Sequence, residues 1–545
     1  MPQPLLLLLA ATVGYLSLSQ EMLWMRAVSY MTGGKPSVFA HVLGFFLIGV
    51  ALGALYAERL CRTRFAADAA RPGAPLRFIG GALVVAGVFY YVSIAATARL
   101  MTVSESLGAA AVYLDVAVVS FLLGAIFPVL CHYGTKANQS VGVAVSRMYL
   151  ANIVGCTLGP LLTGFVLMQY VATDRIVLYV SLATIALGLL AYVFEKRRES
   201  FVPGAAGLVA IVIITLVHDN FYSDLLERLH YKTAYTAESD YEHLIENRSG
   251  IVAVQHDAAR DIDIIYGGGI YDGVFNTSPF TNENRIRRAY LIAGLHPNPR
   301  RVLEVGLSGG AWARVLADYP PVESMEIVEI NGAYVDVIRN YPEIAELLDD
   351  PRVGIHIDDG RRWLNRHPDV KFDFMLQNTT YHWRSLATNI LSEEYLRLCK
   401  SRLNPGGVIF YNTTTAWDIP YTASKVFKHV AMVEDFCAAS DEPFALRPEQ
   451  IRENLLKFRR HGKAVFDPSN PEHAKVLDEM SRAVKPFVPD PNADDYLWRI
   501  TDDNMATEYK LEKWFDRGRS WKAFFAPPTP ASPPPRGDAR LRAQR

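Results

Sequence analysis

Long apolar runs dominate the first part of the chain. They lie near residues 4–24, 37–57, 78–97, 107–131, 143–171, 174–194 and 202–217, and short polar or charged loops separate them. Most of these runs are long enough to cross roughly 30 Å of hydrocarbon. No basic stretch precedes the first run and no small-residue cleavage site precedes Glu21, so we do not expect a cleaved signal peptide. The pattern predicts a multi-pass α-helical membrane domain of about seven helices over residues 1–217.

Small and polar residues within these runs predict how the helices pack. Pairs of glycines four residues apart let helix backbones approach closely in lipid, although membrane helices are also rich in glycine generally; these pairs are Gly49 with Gly53 and Gly155 with Gly159. Ionisable and amide side chains are costly against lipid, so we expect them to face the bundle interior or an interface. Pairing among them is favoured over a transport path; they are Glu21, Arg26, Arg147 and Asn152.

Basic residues in the loops predict the orientation of the chain. They concentrate in the even-numbered loops: Arg59, Arg62, Arg64, Arg71 and Arg77 in the second, Lys136 and then Arg147 at the fourth, and Lys196, Arg197 and Arg198 in the sixth. The positive-inside rule therefore places the amino terminus in the cytoplasm of a bacterial inner membrane. Seven crossings would leave everything after residue 218 outside. If Val202–Val217 lies in the interface instead, the soluble part is cytoplasmic.

From about residue 218 the pattern becomes that of a water-soluble protein. Strand-like segments at 249–256, 262–266 and through Phe275 predict a small β-rich domain over residues 218–295. Strands and helices then alternate, which predicts a Rossmann-like, methyltransferase-type α/β domain with a parallel sheet over residues 296–440. A helical insertion and C-terminal extension is expected over 441–525, and the proline-rich tail at 526–545 is expected to be disordered.

The segment from Arg301 to Ala317 has the residue pattern of a nucleotide-binding site. A buried strand passes through small residues, Gly306, Ser308, Gly309 and Gly310, and continues as a helix. The next predicted strand ends at Glu329, whose carboxylate can accept hydrogen bonds from ribose hydroxyls. A glycine cluster alone also fits an ordinary strand-to-helix turn, and the acidic strand end favours the nucleotide interpretation.

The cysteines provide no metal or redox motif. The chain has 5 of them, with no CxxC pair and no cysteine–histidine cluster, so no metal site is expected. In the soluble part, Cys399 and Cys437 are interpreted as two inert buried thiols. A disulfide between them, which would fit an extracytoplasmic domain, is the alternative.

As a set, several soluble motifs resemble the spermidine synthase (polyamine aminopropyltransferase) family over roughly residues 235–415. These are the segment from His296 to Gly306, Glu329, the stretch from Asp350 to Gly360, and Leu403-Asn-Pro-Gly-Gly-Val408. The membrane part is similar to that of bacterial proteins in which a multi-helix region is fused to such a domain. The segments at 20–26, 124–128 and 149–155 carry that likeness, and 501–508 resembles their closing motif.

The resemblance implies a nucleoside donor such as decarboxylated S-adenosylmethionine or S-adenosylmethionine. By position, Gly306, Gly309 and Gly310 match the loop under the donor tail, Glu329 the ribose contact and Asp359 the adenine contact. The preceding Asp358 is equally suited to cap the helix that begins near Gly360.

The acceptor side departs from the family pattern. Where the family has a catalytic aspartate at a strand end and a second one three residues later, this chain has Asn378 and Tyr381. An asparagine amide cannot accept a proton near neutral pH. A Tyr-His-Glu motif is replaced by Asn284-Arg-Ile286, and the neighbouring Arg285, Arg287 and Arg288 predict a basic surface that would repel a polyamine. His382 is a candidate base, or a loop residue packed against the β-domain.

The sequence therefore predicts a membrane-anchored, spermidine-synthase-like transferase that moves an aminopropyl or methyl group to a non-standard acceptor. The alternative is a catalytically inactive sensor or transport-coupled protein that keeps the fold and a ligand pocket. The expected partners are the lipid bilayer, a small-molecule nucleoside donor and an unidentified acceptor, with no nucleic acid; a homo-oligomer stays open.

Overall fold

A computed structural model describes residues 2–65, 73–135, 140–195, 198–378, 381–495, 497–504 and 506–509. The chain divides into two compact units. The first holds the residues up to Asp240 together with Glu246–Ile251, and the second holds Tyr241–Ile245 and the described residues from Val252 onward. The predicted disordered tail at 526–545 lies outside the described residues, as do Arg71, Lys136, Lys196 and Arg197.

The described residues of the first unit include seven helices that are long and apolar enough to cross a membrane. Their positions coincide with the predicted apolar runs. Many large apolar side chains point outward from this bundle, among them Leu47, Leu52, Leu150 and Phe165. The helices are α1 (Gln3–Thr32), α2 (Ser37–Phe65), α3 (Ala74–Val103), α4 (Glu105–Gly134), α5 (Val141–Tyr170), α6 (Thr173–Glu195) and α7 (Phe201–Phe221), and the shorter α8 (Leu225–Tyr231) follows them.

Of the four polar residues expected to face the interior or an interface, two have hydrogen-bond partners in the first unit, one is buried and one is exposed. Arg26 donates to Thr173 at 2.9 Å and forms an ion pair with Glu246 at 3.3 Å. Asn152 donates to the carbonyl of Ala10 at 3.2 Å. Glu21 is buried, as predicted for the interior. Arg147 instead is exposed, because it lies close to the start of α5, where a long charged side chain reaches a polar surrounding.

The glycine pairs lie at close helix contacts, as predicted. A side chain at Gly49 or Gly53 would collide with the backbone of α4 at Ala117 or Phe121. A side chain at Gly155 would collide with the carbonyl of Ala11, and one at Gly159 would come within 2.6 Å of the carbonyl oxygen of Tyr15. Both pairs therefore allow backbone-to-backbone packing that any larger residue would prevent.

The described residues form two main sheets, most of whose residues belong to the second unit. The first has the order β1-β2-β3-β4 and is formed by β1 (His243–Asn247), β2 (Gly250–Asp257), β3 (Ile262–Gly267) and β4 (Tyr271–Val274). The second has eight strands in the order β14-β10-β11-β9-β8-β5-β6-β7. They are β5 (Arg301–Val305), β6 (Ser324–Glu329), β7 (Val353–Ile357), β8 (Phe372–Gln377), β9 (Leu403–Asn412), β10 (His429–Val433), β11 (Phe436–Ser440) and β14 (Lys485–Pro486).

Helices cover both faces of the larger sheet. On one face Trp312, Phe374 and Phe436 belong to a buried apolar cluster, and on the other Trp363 and Tyr395 do. The helices of this unit are α9 (Arg287–Tyr290), α10 (Ile292–Leu295), α11 (Ala311–Ala317), α12 (Ala333–Ile338), α13 (Pro342–Ala345), α14 (Gly360–Arg366), α15 (Glu393–Ser401), α16 (Asp418–Ser424), α17 (Pro448–Leu455), α18 (Pro471–Ser481) and α19 (Ala506–Tyr509).

The central strands β5 to β9 are parallel, which confirms the predicted α/β core. The chain leaves β5 toward β6 on one side, whereas β8 pairs with the other side of β5. The carboxyl ends of β5 and β8 therefore meet at the topological switch point, where such sheets bind ligands. The antiparallel strands β10, β11 and β14 were not predicted. The segment at 441–485 contains α17 and α18, but also the ribbon β12 (Arg459–Arg460) and β13 (Lys463–Ala464).

We expect Gly49→Ala to destabilise the helix bundle by about 1–3 kcal/mol, because its methyl group would overlap Ser120 and the Ala117 carbonyl. Thermal unfolding of the detergent-solubilised protein measures the loss. Gly44→Ala in the same helix is the matched control, since a side chain there meets nothing within 4 Å. Equal melting temperatures for the two variants would show that α2 and α4 do not pack through Gly49.

Candidate functional site

The glycine loop forms a tight turn between β5 and α11. Gly306 and Gly310 adopt φ values of 88° and 74°, in the region that favours glycine. The hydroxyl of Ser308 donates to the backbone carbonyl of Asp272 at 2.9 Å. A side chain at Gly309 would lie 3.2 Å from the ring of Phe275. The loop is therefore held against β4 and the residue after it.

Glu329 fixes this loop to the end of β6. Its carboxylate accepts hydrogen bonds from the backbone nitrogens of Leu307 at 2.7 Å and Asn331 at 2.8 Å. The side chain is buried, and burial raises its pKa from 4.5 to about 7. Each oxygen already accepts one backbone hydrogen bond, so the predicted ribose contact would have to use the remaining lone pairs. That contact stays a prediction.

The capping role considered for Asp358 belongs to Asp359. Asp359, predicted to contact adenine, accepts from the backbone nitrogen of Arg362 at 2.8 Å and caps α14. Asp358, considered as the cap, forms ion pairs with the guanidinium groups of Arg362 and Arg366. The cap is corrected on backbone geometry, because only Asp359 lies directly before the first helical position. The adenine contact of Asp359 stays a prediction.

A second buried carboxyl group lies next to the loop and was missed from the sequence. Glu304 of β5 is fully buried, and its oxygens have no hydrogen-bond partner in the described part of the chain. Burial, with a smaller contribution from the charge of Glu329, raises the pKa of Glu304 well above its usual value. The only signal in the sequence was an acidic residue inside an otherwise apolar strand.

A cavity lies at the switch point, beside the ends of β8 and β9. It brings together two of the three predicted catalytic residues, Asn378 and Tyr381. Aromatic, amide and charged side chains complete its wall: Tyr271, Asp272, Asn284, Arg288, Trp312, Arg384 and Asn412. The cavity thus combines aromatic rings with amide groups and charges of both signs.

Asp272 is the carboxylate that lines this cavity. Tyr334 donates to its Oδ2 at 2.5 Å. Burial raises the pKa of Asp272, against the opposing effects of the Tyr334 hydrogen bond and the Arg384 charge. Sequence analysis missed this residue because its only local signal is Tyr271-Asp272-Gly273 after a run of glycines.

His382 does not line the cavity with the other two candidates. Its Nδ1 lies 2.6 Å from the hydroxyl of Thr414, and its backbone nitrogen donates to the same oxygen at 3.1 Å. The expected catalytic base therefore contacts the loop after β9. The reason is local: His382 and the cavity residue Tyr381 are adjacent in a turn and their side chains diverge.

The predicted basic surface is neutralised. Arg288 is buried and forms ion pairs with Glu434 at 3.0 Å and with Asp435. Arg285 lies 3.3 Å from Asp435, and Arg287 is 3.0 Å from Glu479. The acidic partners come from the turn between β10 and β11 and from α18, so the sequence around residue 285 gave no sign of them.

The two cysteines of this unit are unpaired. Cys399 and Cys437 are buried and free. Burial raises the pKa of each thiol to about 12. The interpretation as inert thiols is confirmed, because a thiol that stays protonated is a poor nucleophile.

Comparison with known proteins shows what the central domain is similar to. Residues 289–440 match the spermine/spermidine synthase domain. A polyamine aminopropyltransferase of Agathobacter rectalis is 35% identical over 121 residues, which cover 22% of this chain and 41% of the relative. One from Corynebacterium efficiens is 24% identical over 335 residues, covering 58% of this chain and 61% of the relative. The chain thus spans less than two thirds of either relative.

A solved spermidine synthase in complex with the transition state analogue AdoDATO aligns with 44% of this chain and 85% of its own. The identity is 18% and the TM-score 0.36. The domain assignment rests on the sequence match over residues 289–440.

Stability should depend on pH through Glu329. Its pKa is about 7 in the folded protein against 4.5 unperturbed, so between these values the folded state holds a proton that the unfolded chain has lost. The contribution of Glu329 is therefore largest at low pH and falls as the pH rises to about 7, by up to about 1.4 kcal/mol per pKa unit. Glu329→Gln lacks this titration.

Chemical denaturation of the full-length protein from about pH 5 to about pH 7 checks this. The stability advantage of the wild type over Glu329→Gln should shrink as the pH rises. Glu343→Gln, at an exposed glutamate, serves as control and should run parallel to the wild type. A constant difference between wild type and Glu329→Gln would contradict the raised pKa.

Proposed function

We propose that this chain, whose residues 289–440 form a spermine/spermidine synthase domain, is a membrane-anchored transferase. It binds an S-adenosylmethionine-type nucleoside and transfers an aminopropyl or methyl group to an acceptor that is not a standard polyamine. The observation that carries the proposal is the cavity at the switch point, where Asp272 supplies a carboxylate and the family's base position is Asn378.

The residues next to the glycine loop fit a nucleoside donor. The loop backbone turns at Gly306 and Gly310. Carboxylates lie at the end of the next strand, at Glu329, and just after the one that follows, at Asp359. Carboxylate oxygens accept hydrogen bonds from ribose hydroxyls and from an exocyclic amine. Asp359 uses Oδ1 to cap α14, which leaves Oδ2 for such a contact.

The donor supplies a carbon activated by a sulfonium group. When an acceptor amine attacks this carbon, a carbon–nitrogen bond forms, the carbon–sulfur bond breaks, and the bonding pair stays on sulfur. The amine must lose a proton, which a side chain in the cavity has to accept. Asn378 cannot take it. Asp272 is a carboxylate with a pKa above the usual value, which makes it a better proton acceptor than an ordinary aspartate.

A binding protein without transfer activity is the second candidate. Two observations favour it. Both carboxylate oxygens of Glu329 already accept hydrogen bonds from backbone nitrogens. The expected base His382 contacts Thr414. Both candidates require nucleoside binding. They differ in turnover, which therefore decides between them.

We expect the purified protein to release 5′-methylthioadenosine from decarboxylated S-adenosylmethionine, or S-adenosylhomocysteine from S-adenosylmethionine, when a small-molecule cell extract supplies the acceptor. Asp272→Asn should slow this release by roughly 100-fold or more, because the proton acceptor is lost. With putrescine as acceptor, release should stay at background in the wild type and in Asn378→Asp. Mass spectrometry of the nucleoside product measures all of these.

Binding of 5′-methylthioadenosine to each variant is the control for folding of the site. No product from either donor, with binding intact, favours the inactive binding protein. Turnover with putrescine comparable to that of an ordinary spermidine synthase would overturn the proposed acceptor class.

The membrane location is supported by the first unit alone. Its seven helices have the length and apolarity of membrane spans, and they expose apolar side chains such as Leu52, Leu114 and Phe165. Water disfavours so large an apolar surface, whereas lipid does not. We therefore propose that this unit lies in a bacterial inner membrane.

The basic loops favour an extracytoplasmic second unit, and reporter fusions test this sidedness. Alkaline phosphatase, which is active only after export, should be active when fused after Asp219 and at the carboxyl end. A fluorescent protein that matures only in the cytoplasm should stay dark at both points. The reverse result would show that α7 does not cross and that the site faces the cytoplasmic donor pool.

A further inference from the structure

Two guanidinium groups line the cavity, and one of them has no hydrogen-bond or ion-pair partner among the described residues. Arg288 is committed to Glu434 and Asp435. The guanidinium of Arg384 also lines the cavity, yet no hydrogen bond or ion pair to it occurs among the residues that the structure describes. Its attraction to the nearby Asp272 carboxylate is the main electrostatic link. A half-buried arginine without a partner leaves its donors available to a ligand.

Asp272 and Arg384 lie close to two consecutive glycines, Gly267 of the cavity wall and Gly268. A side chain at Gly267 would come within 3.0 Å of Asp272 Oδ2. A side chain at Gly268 would come within 2.7 Å of Arg384 Nη2. The two charged groups are therefore neighbours, and the glycines keep the space around them free of side chains.

The turn that carries Arg384 is held in place by the end of the described chain. The buried carboxylate of Glu508 accepts hydrogen bonds from the backbone nitrogens of Leu386 at 3.0 Å and Thr388 at 2.9 Å. The backbone nitrogen of Arg384 donates to the carbonyl of Tyr381 at 3.0 Å. Arg384 thus lies on a fixed turn, which a binding residue requires.

We propose that this pair recognises an α-amino acid group, with the ammonium at Asp272 and the carboxylate at Arg384. The inference rests on the proposed nucleoside-dependent function and names the chemistry that its site selects. The planar guanidinium matches a carboxylate through two parallel hydrogen bonds. A polyamine has no carboxylate and would place a second ammonium against Arg384, which is repulsive.

The amino acid group has two sources. In an acceptor that is itself an amino acid, its nitrogen is the one whose proton Asp272 accepts. In a donor that keeps its carboxylate, Asp272 binds the donor's ammonium and another group takes the acceptor's proton. Two pairs of compounds distinguish these sources, because the two members of each pair differ only in the carboxylate. Ornithine is compared with putrescine for the acceptor, and S-adenosylmethionine with its decarboxylated form for the donor.

Isothermal titration calorimetry of the full-length protein in detergent tests the proposal. The acceptor pair is titrated in the presence of 5′-methylthioadenosine, and the donor pair without it. In one of the two pairs we expect the carboxylate-bearing member to bind at least about tenfold more tightly. Arg384→Met should abolish that preference and leave the affinity for 5′-methylthioadenosine unchanged. Arg482→Met, at an exposed arginine paired with Asp478, should preserve the preference.

The outcomes distinguish a failure of the amino acid assignment from a failure of the proposed function on which it rests. If 5′-methylthioadenosine binds but neither pair shows a preference, or if the preference survives in Arg384→Met, the amino acid assignment is wrong and the nucleoside site stands. If neither 5′-methylthioadenosine nor either donor binds the wild type, the proposed function itself fails.

Discussion

The hydrogen bonds of Glu329 are the constraint on which the candidate site depends. One oxygen holds Leu307 of the glycine loop and the other holds Asn331, which leads into the helix of Tyr334. The loop then holds the backbone at Asp272 through Ser308, and Tyr334 holds the side chain of Asp272. A buried carboxyl thereby connects the ends of two strands to the cavity, so its protonation state influences the geometry of the whole site.

The charged side chains of the cavity determine which ligands it can bind. The acidic turn between β10 and β11 neutralises Arg285 and Arg288, and so removes the general positive field that the local sequence suggests. What remains facing the cavity is a local pair of opposite charges, Asp272 and Arg384. Such a pair selects for the arrangement of charges within a ligand, whereas a uniform field selects only for its net charge.

The first unit depends on a different constraint, the absence of side chains at its helix crossings. Gly49 and Gly155 bring α2 onto α4 and α5 onto α1 so closely that no other residue fits. Polar pairs between helices, such as Arg26 of α1 with Thr173 of α6, add specificity where apolar surfaces alone would let the helices slide. The first unit is held together by close packing of its helices, whereas the second is organised around a hydrogen-bonded sheet with polar residues at one edge.

The sequence alone determined the features that depend on local periodicity: the seven apolar helices, the parallel strands β5 to β9, and the glycine loop with its acidic strand end. It also located Asn378 and Tyr381, because both follow a strand whose end can be read from its apolar run. Only the tertiary structure brought Asp272 to that strand end, turned His382 toward Thr414, and supplied Glu434 to Arg288. These contacts join residues far apart in the chain, or depend on side-chain directions within one turn, and neither is encoded in hydrophobic periodicity.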